Sequence, residues 1–141
     1  MKVNPYLNFD GQAEAAFDFY QSVFGGEVTK MNMADAPGSE KVSEEERNRM
    51  MHISLPLKPD TILMGSDIFP SMGHTLTKGN YAYLSLHPDS REEADRLFNG
   101  LAEGGNIEMP MEDQFWGDYF GSFTDKFGIR WMVNYNEQSE S

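Results

Sequence analysis

Apolar residues along this chain change their spacing in the same order twice. Residues 3–9 (VNPYLNF) alternate, which is the period of a strand with one covered face, and then Ala13, Phe17, Tyr20 and Phe24 recur at helical spacing. Asp10 stands where a side chain can cap that helix, and Gly25 and Gly26 stop it by accepting the left-handed turn at its end. EVTKMNM reads as a strand and ADAPGSEKV as a loop. MMHISLPL and TILMGSD, joined by the turn KPD, read as a hairpin, and DIFPSMGHTLTKGN as a connection. In the acidic run, Ser43 and Glu46 have the spacing of a capping box, although a solvated face explains the run more simply.

After that connection the order begins again. YAYLSLH reads as a strand, and DSREEADRLFNGLAEGG as a helix with its apolar stripe at Ala94, Leu97, Phe98 and Leu101. Ser90 and Glu93 repeat the capping box, and Gly104 and Gly105 repeat the double-glycine stop. Strands follow near NIEMPM, DYFGSFT and IRWMVNY. Leu7 and Leu84 lie 77 positions apart, and Gly25 and Gly104 lie 79 apart. A structural duplication accounts for both offsets. The spacing therefore predicts an α+β fold of two βαβββ units, about 1–70 and about 78–136, in one domain over 1–141. A polar tail at 137–141 is expected to fray.

Composition narrows the function. Asp and Glu number 23 against 11 Lys and Arg, a formal charge of -12 that repels phosphate backbones, so nucleic acid is not an expected partner. The absence of cysteine removes disulfides, thiolate metal sites and a cysteine nucleophile. No stretch approaches the roughly 20 apolar residues that span a bilayer, and MKVNPYLNFDG lacks a signal-peptide run, so a cytoplasmic protein without a membrane partner is the expectation. Ten Met and ten Phe suit either an irregular core or an adaptable apolar pocket.

The usual chemical motifs are missing. The glycine pairs sit at helix ends, and neither GxGxxG, GxxxxGK[ST] nor GxSxG occurs. His52, His74 and His87 lack the i, i+4 spacing of a helical metal site, though His52 or His74 could join Asp67 in an unexpected one. Asp118 and Asp125 flank a strand as turn formers.

The segments PYLNFDGQAEAAFDFYQSVFGGEV, ILMGSDIFP and, above all, FWGDYFGSFTDKFGIRWMVNY resemble the PhnB-like branch of the glyoxalase, bleomycin-resistance and dioxygenase superfamily, the vicinal oxygen chelate proteins. The resemblance covers nearly the whole chain. It implies two βαβββ units whose mixed sheet curls around a cavity, and a homodimer. A related branch carries a demethylubiquinone methyltransferase label, but its DPFGH pattern is DKFGI here, and no glycine-rich loop follows the first strand. In the metal-dependent relatives four side chains hold a divalent ion. Matched by motif, those places fall near Asn4, near Met64, at Tyr81 and at Met132. Neutral amides, thioethers and phenols replace poorly the imidazoles and carboxylates that such ions need, so no cofactor is expected, while a divalent metal held by other ligands is not excluded.

Strand alternation places Tyr6, Asn8, Tyr83, Arg130 and Asn134 on the same side as Asn4, Tyr81 and Met132, and Leu7, Phe9, Leu84, Trp131 and Val133 on the helix side. Tyr6, Asn8, Tyr81, Tyr83, Trp116, Phe120, Arg130 and Met132 are the candidate ligand contacts. They suit a flat, partly apolar organic ligand, with Arg130 placed for a carboxylate or phosphonate. The same side chains could instead fill the space as core. Two readings follow: a metal-free protein that binds a small molecule, or a lyase, isomerase or dioxygenase using a divalent metal or acid-base residues.

Overall fold

The computed structural model describes residues 1–137; most of the tail expected to fray lies outside the described residues. The chain forms two compact units, Met1–Thr77 and a second from Lys78 onward. In the first, β1 (Tyr6–Phe9), α1 (Ala13–Phe24), β2 (Thr29–Asn32), β3 (Met50–Leu57) and β4 (Thr61–Asp67) build a four-stranded sheet in the order β1-β4-β3-β2. The pair β1 and β4 is parallel, and the other pairs are antiparallel. The second unit repeats this with β5 (Leu84–Leu86), α2 (Arg91–Ala102), β6 (Asn106–Asp113), β7 (Tyr119–Thr124) and β8 (Arg130–Tyr135) in the order β5-β8-β7-β6. The fold is α+β with two repeated βαβββ units.

Each helix covers one face of its own sheet. The apolar stripe of α1, Ala13, Ala16, Phe17 and Tyr20, is fully buried with Phe9, Ile53, Leu55 and Leu63, and Phe9 meets Phe17 edge-on at 6.4 Å. Each buried Phe, Ile or Leu side chain among them contributes about 1.5–3 kcal/mol. The close approach needs Gly65, where a Cβ would stand 2.8 Å from the Leu7 carbonyl and 3.0 Å from the Phe17 ring. In the second unit Leu97, Phe98 and Leu101 of α2 are buried with Phe123, Trp131 and Val133.

Three local expectations change. Asp10 does not cap α1; it pairs with Arg49 at 2.8 Å, and the N-cap position is Gln12 without a side-chain bond. The strand expected over 81–87 is confined to Leu84–Leu86, the residues that pair with β8. Glu46 of the acidic run is buried rather than solvated. The capping box forms, with Glu46 N–H donating to Ser43 Oγ at 3.3 Å and Ser43 Oγ donating to the Glu46 carboxylate at 2.9 Å. That carboxylate also accepts from the Ser71 N–H at 3.2 Å and from the Ser71 hydroxyl. It thereby ties the 43–48 segment to the segment after β4, beside a small core of Met33, Ala36, Val42 and Phe69.

The Ser71 hydroxyl, chiefly, and then Ser43, working against desolvation, hold the Glu46 carboxyl down at about 2 from 4.5. A depressed carboxyl pKa contributes stability that is present above the ordinary glutamate range and is lost as pH falls from about 4.5 toward about 2. Melting temperature followed across that window is expected to fall less steeply for Glu46→Gln than for the parent. Equal slopes would show that Glu46 does not carry this linkage.

Candidate functional site

The face of each sheet turned away from its helix carries most of the polar strand side chains, together with Tyr6, Phe120 and several methionines, as strand alternation requires. In the first unit Tyr6, Met64, Ser54 and Thr29 form one cross-strand row; Asn8 pairs with Ser66, and His52 with Met31. The Tyr6 hydroxyl lies 3.4 Å from His52 Nδ1, with ring centroids 5.8 Å apart. Tyr6 and Asn8 are both exposed.

In the second unit Ser85, Met132, Ser122 and Met109 form the central row. On one side of it Thr124 pairs with Arg130; on the other Phe120 pairs with Asn134. Trp131 and Val133 between these positions are buried toward α2. Arg130 Nη1 donates to the Tyr83 hydroxyl at 3.1 Å and to Glu108 Oε2 at 2.6 Å, while the Tyr83 hydroxyl donates to Glu108 Oε1 at 2.8 Å. The Arg130 guanidinium also lies 5.5 Å from the Tyr83 ring centroid. Desolvation works against the arginine's charge, but its bonds to Glu108 and Tyr83 prevail and raise its pKa. Trp116, in the turn before β7, is half-exposed, donates to Asp118 at 3.0 Å and stands 6.5 Å from the Phe120 ring. Asn134 lines a polar recess of about 150 Å³ with His87, Asp89 and Asn136, and its buried Oδ1 has no hydrogen-bond partner among the described residues.

The structure thus brings Tyr83 and Arg130 into contact, sets Trp116 near Phe120, and places Met132 in the row between the two groups. Tyr81 is fully exposed, ahead of β5, and touches none of them. Glu108 was not a sequence candidate. NIEMPMED alternates cleanly, but the observed pairing passes from Ile107↔Phe123 to Met109↔Ser122, so Glu108 is the extra residue of a bulge. A second register shift spans Pro110, which has no N–H for the ladder. That proline in an otherwise regular strand was the available signal that the alternation would break.

The four metal positions that the resemblance implies can be tested by their donors. Asn4 Oδ1 already accepts the Ile62 N–H at 3.0 Å, Met64 and Met132 offer thioethers, and Tyr81 offers a phenol on an exposed loop. Both Asp67 oxygens accept backbone N–H groups at 2.9 Å, and His74 Nδ1 accepts the Phe69 N–H at 3.0 Å. Among the described residues no three His, Asp or Glu side chains converge. This donor set does not fit a divalent ion.

The family model for the Glyoxalase/Bleomycin resistance protein/Dioxygenase superfamily matches residues 2–133. The chain belongs to this superfamily. Protein YjdN of Escherichia coli K12 is 36% identical over 98% of this chain and 97% of its own. Protein PA1353 from Pseudomonas aeruginosa superposes with a TM-score of 0.85 at 37% identity, over 96% of this chain and 98% of that one. The PhnB protein from Bacillus cereus, described as a putative 3-demethylubiquinone-9 3-methyltransferase, gives a TM-score of 0.74 at 25% identity over 96% and 99%. This superfamily member is PhnB-like. None of its described helices is long and apolar enough to cross a membrane.

Proposed function

We propose that this PhnB-like chain is a cytoplasmic small-molecule binding protein that works without a divalent metal. A flat, partly apolar organic ligand lies against the helix-free face of the second unit's sheet. Met132, Phe120 and Trp116 supply contact area, and Tyr83 and Arg130 the polar end; Tyr6 and Asn8 are the corresponding contacts on the first unit's face, and Tyr81 is a further candidate contact. The observation that carries the reading is that a methionine stands at 132, within a row of Ser85, Ser122 and Met109 that contains no charged side chain. Aromatic and thioether groups bind flat rings at small entropic cost. A second reading, a lyase, isomerase or dioxygenase, is favoured by the Tyr6–His52 contact, which places a titratable pair on a sheet face.

We extend the proposal to a homodimer, supported by the edge strands β1, β2, β5 and β6, whose backbone groups need cover. Native mass spectrometry of the purified protein reads both points. The expected result is a dimer whose mass equals that of two bare chains. One tightly held metal ion per chain would move the assignment to the enzyme reading, and a monomer of 16.0 kDa alone at micromolar concentration would remove the dimer.

A further inference from the structure

Among the described strand residues of its sheet Arg130 is the only lysine or arginine, and the sequence alone offers it to an anionic ligand. The structure gives it a resident partner. Both Nη1 hydrogens are used, one by Tyr83 and one by Glu108, and the pair is partly withdrawn from water, with side-chain exposures of 24% and 26%. The Nε and Nη2 hydrogens have no partner among the described residues. A guanidinium neutralised on one side and free on the other is a hydrogen-bond donor without net charge to spare.

We propose that Glu108 sets the charge class of the ligand. The face takes an uncharged group with a carbonyl beside an N–H, an amide, lactam or ureide edge, and rejects carboxylates and phosphonates. This rests on the binding reading above. A ligand carboxylate at Arg130 would stand beside the Glu108 carboxylate, and two such charges repel across a partly desolvated site; displacing Glu108 would break its bonds to both Arg130 and Tyr83. The chain's charge of -12 adds a field of the same sign. A cation would meet Arg130 itself. A neutral amide meets neither objection: its carbonyl accepts from the free guanidinium hydrogens, and its N–H donates to the Glu108 lone pairs left over. Farther along β8, Asn134 Oδ1 is a buried acceptor without a donor, four residues and roughly 13 Å from Arg130 at strand rise, so an elongated neutral ligand with a second N–H would satisfy both ends across Met132. The bulge at Glu108 is what aims the carboxylate at Arg130, a strand beyond its own neighbour.

The test uses a matched pair of probes, 2-naphthamide and 2-naphthoate, titrated at pH 7 into the full-length protein while the Arg130 side-chain and Met132 methyl NMR signals are followed. The parent protein is expected to bind the amide about tenfold more tightly than the carboxylate. Glu108→Gln should reverse the order by releasing the guanidinium. Glu112→Gln removes the same charge from the same strand away from Arg130 and should leave the preference as it was. A parent that binds naphthoate as tightly as naphthamide would overturn the proposal while leaving the binding reading intact. Reversal by Glu112→Gln as well would overturn it by assigning the preference to the overall field. If neither probe moves the Arg130 or Met132 signals, the binding reading fails and this inference falls with it.

Discussion

Replacing Asp67 by alanine is expected to remove about 3–5 kcal/mol of stability, much of what a domain of this size holds. Asp67 ends β4 and is 4% exposed. Its Oδ1 accepts the Ala13 N–H at 2.9 Å and its Oδ2 the Met50 N–H at 2.9 Å. The first belongs to the opening turn of α1, where backbone donors have no intrahelical partner and a negative charge is favoured. The second opens β3. One carboxylate therefore joins the start of the helix to the start of a central strand, and its removal leaves two buried donors unpaired. Hydrogen bonds to charged acceptors are worth about 1.5–3 kcal/mol each, and orphaning their donors adds to the loss. Urea unfolding of Asp67→Ala against the parent measures this, and a difference under about 1 kcal/mol would refute it. The loss should be the same with and without EDTA, because both oxygens are committed to the backbone; a metal-ligand role would make the parent alone sensitive to chelator.

Asp67 also shows where sequence reading reaches its limit. The two helices, their double-glycine stops and the β3–β4 hairpin were legible because each depends on residues close together in the chain: helical spacing at Ala13 to Phe24, Ser90 facing Glu93 N–H at 3.0 Å, and the KPD turn. The duplication was legible from its offsets, and the repeated order β1-β4-β3-β2 and β5-β8-β7-β6 is its structural form. The cap of α1 was not. Asp10 is the nearby acid, but the donor at Ala13 is met from 54 residues away. Glu46 is similar: its neighbours Ser43, Glu44 and Glu45 suggest solvent, and Ser71, 25 residues on, buries it.

The candidate site divides in the same way. Which side chains share a face of β8 follows from a period of two, so Arg130 and Met132 opposite Trp131 could be read directly. The partner of Arg130 could not, because a bulge changes the register of an otherwise regular strand and no local pattern shows how far β6 slips. The exposed position of Tyr81 was hidden for a related reason. Whether the residues ahead of Leu84 join a strand depends on β8, which pairs with β5 only from Trp131 to Val133.

The turn that enters β8 is expected to be as sensitive as the end of β4. Asp125 is 3% exposed and serves three donors: its Oδ1 accepts Phe127 N–H at 2.8 Å and Ile129 N–H at 3.0 Å, and its Oδ2 accepts Trp131 Nε1–H at 2.9 Å. Its backbone closes the same turn, donating to the Ile129 carbonyl and accepting from Gly128, whose φ of 93° is the left-handed conformation this turn requires. The carboxylate thus fixes at once the turn and the largest fully buried side chain, the indole of Trp131. Because side chains alternate along β8, anchoring Trp131 toward α2 is also what points Arg130 and Met132 to the opposite face. Asp125→Ala should cost about 3–5 kcal/mol by leaving these donors without an acceptor. Asp125→Asn keeps one acceptor oxygen and should lose less. Near-ultraviolet circular dichroism should weaken in the alanine variant as the indole loses its fixed orientation, and naphthamide affinity should fall together with it, because the ligand contacts on the other face depend on the same anchor. A variant that unfolds within about 1 kcal/mol of the parent would show that packing alone positions Trp131. Lost stability with unchanged naphthamide affinity would instead separate the two faces of β8 and leave the anchoring argument without support.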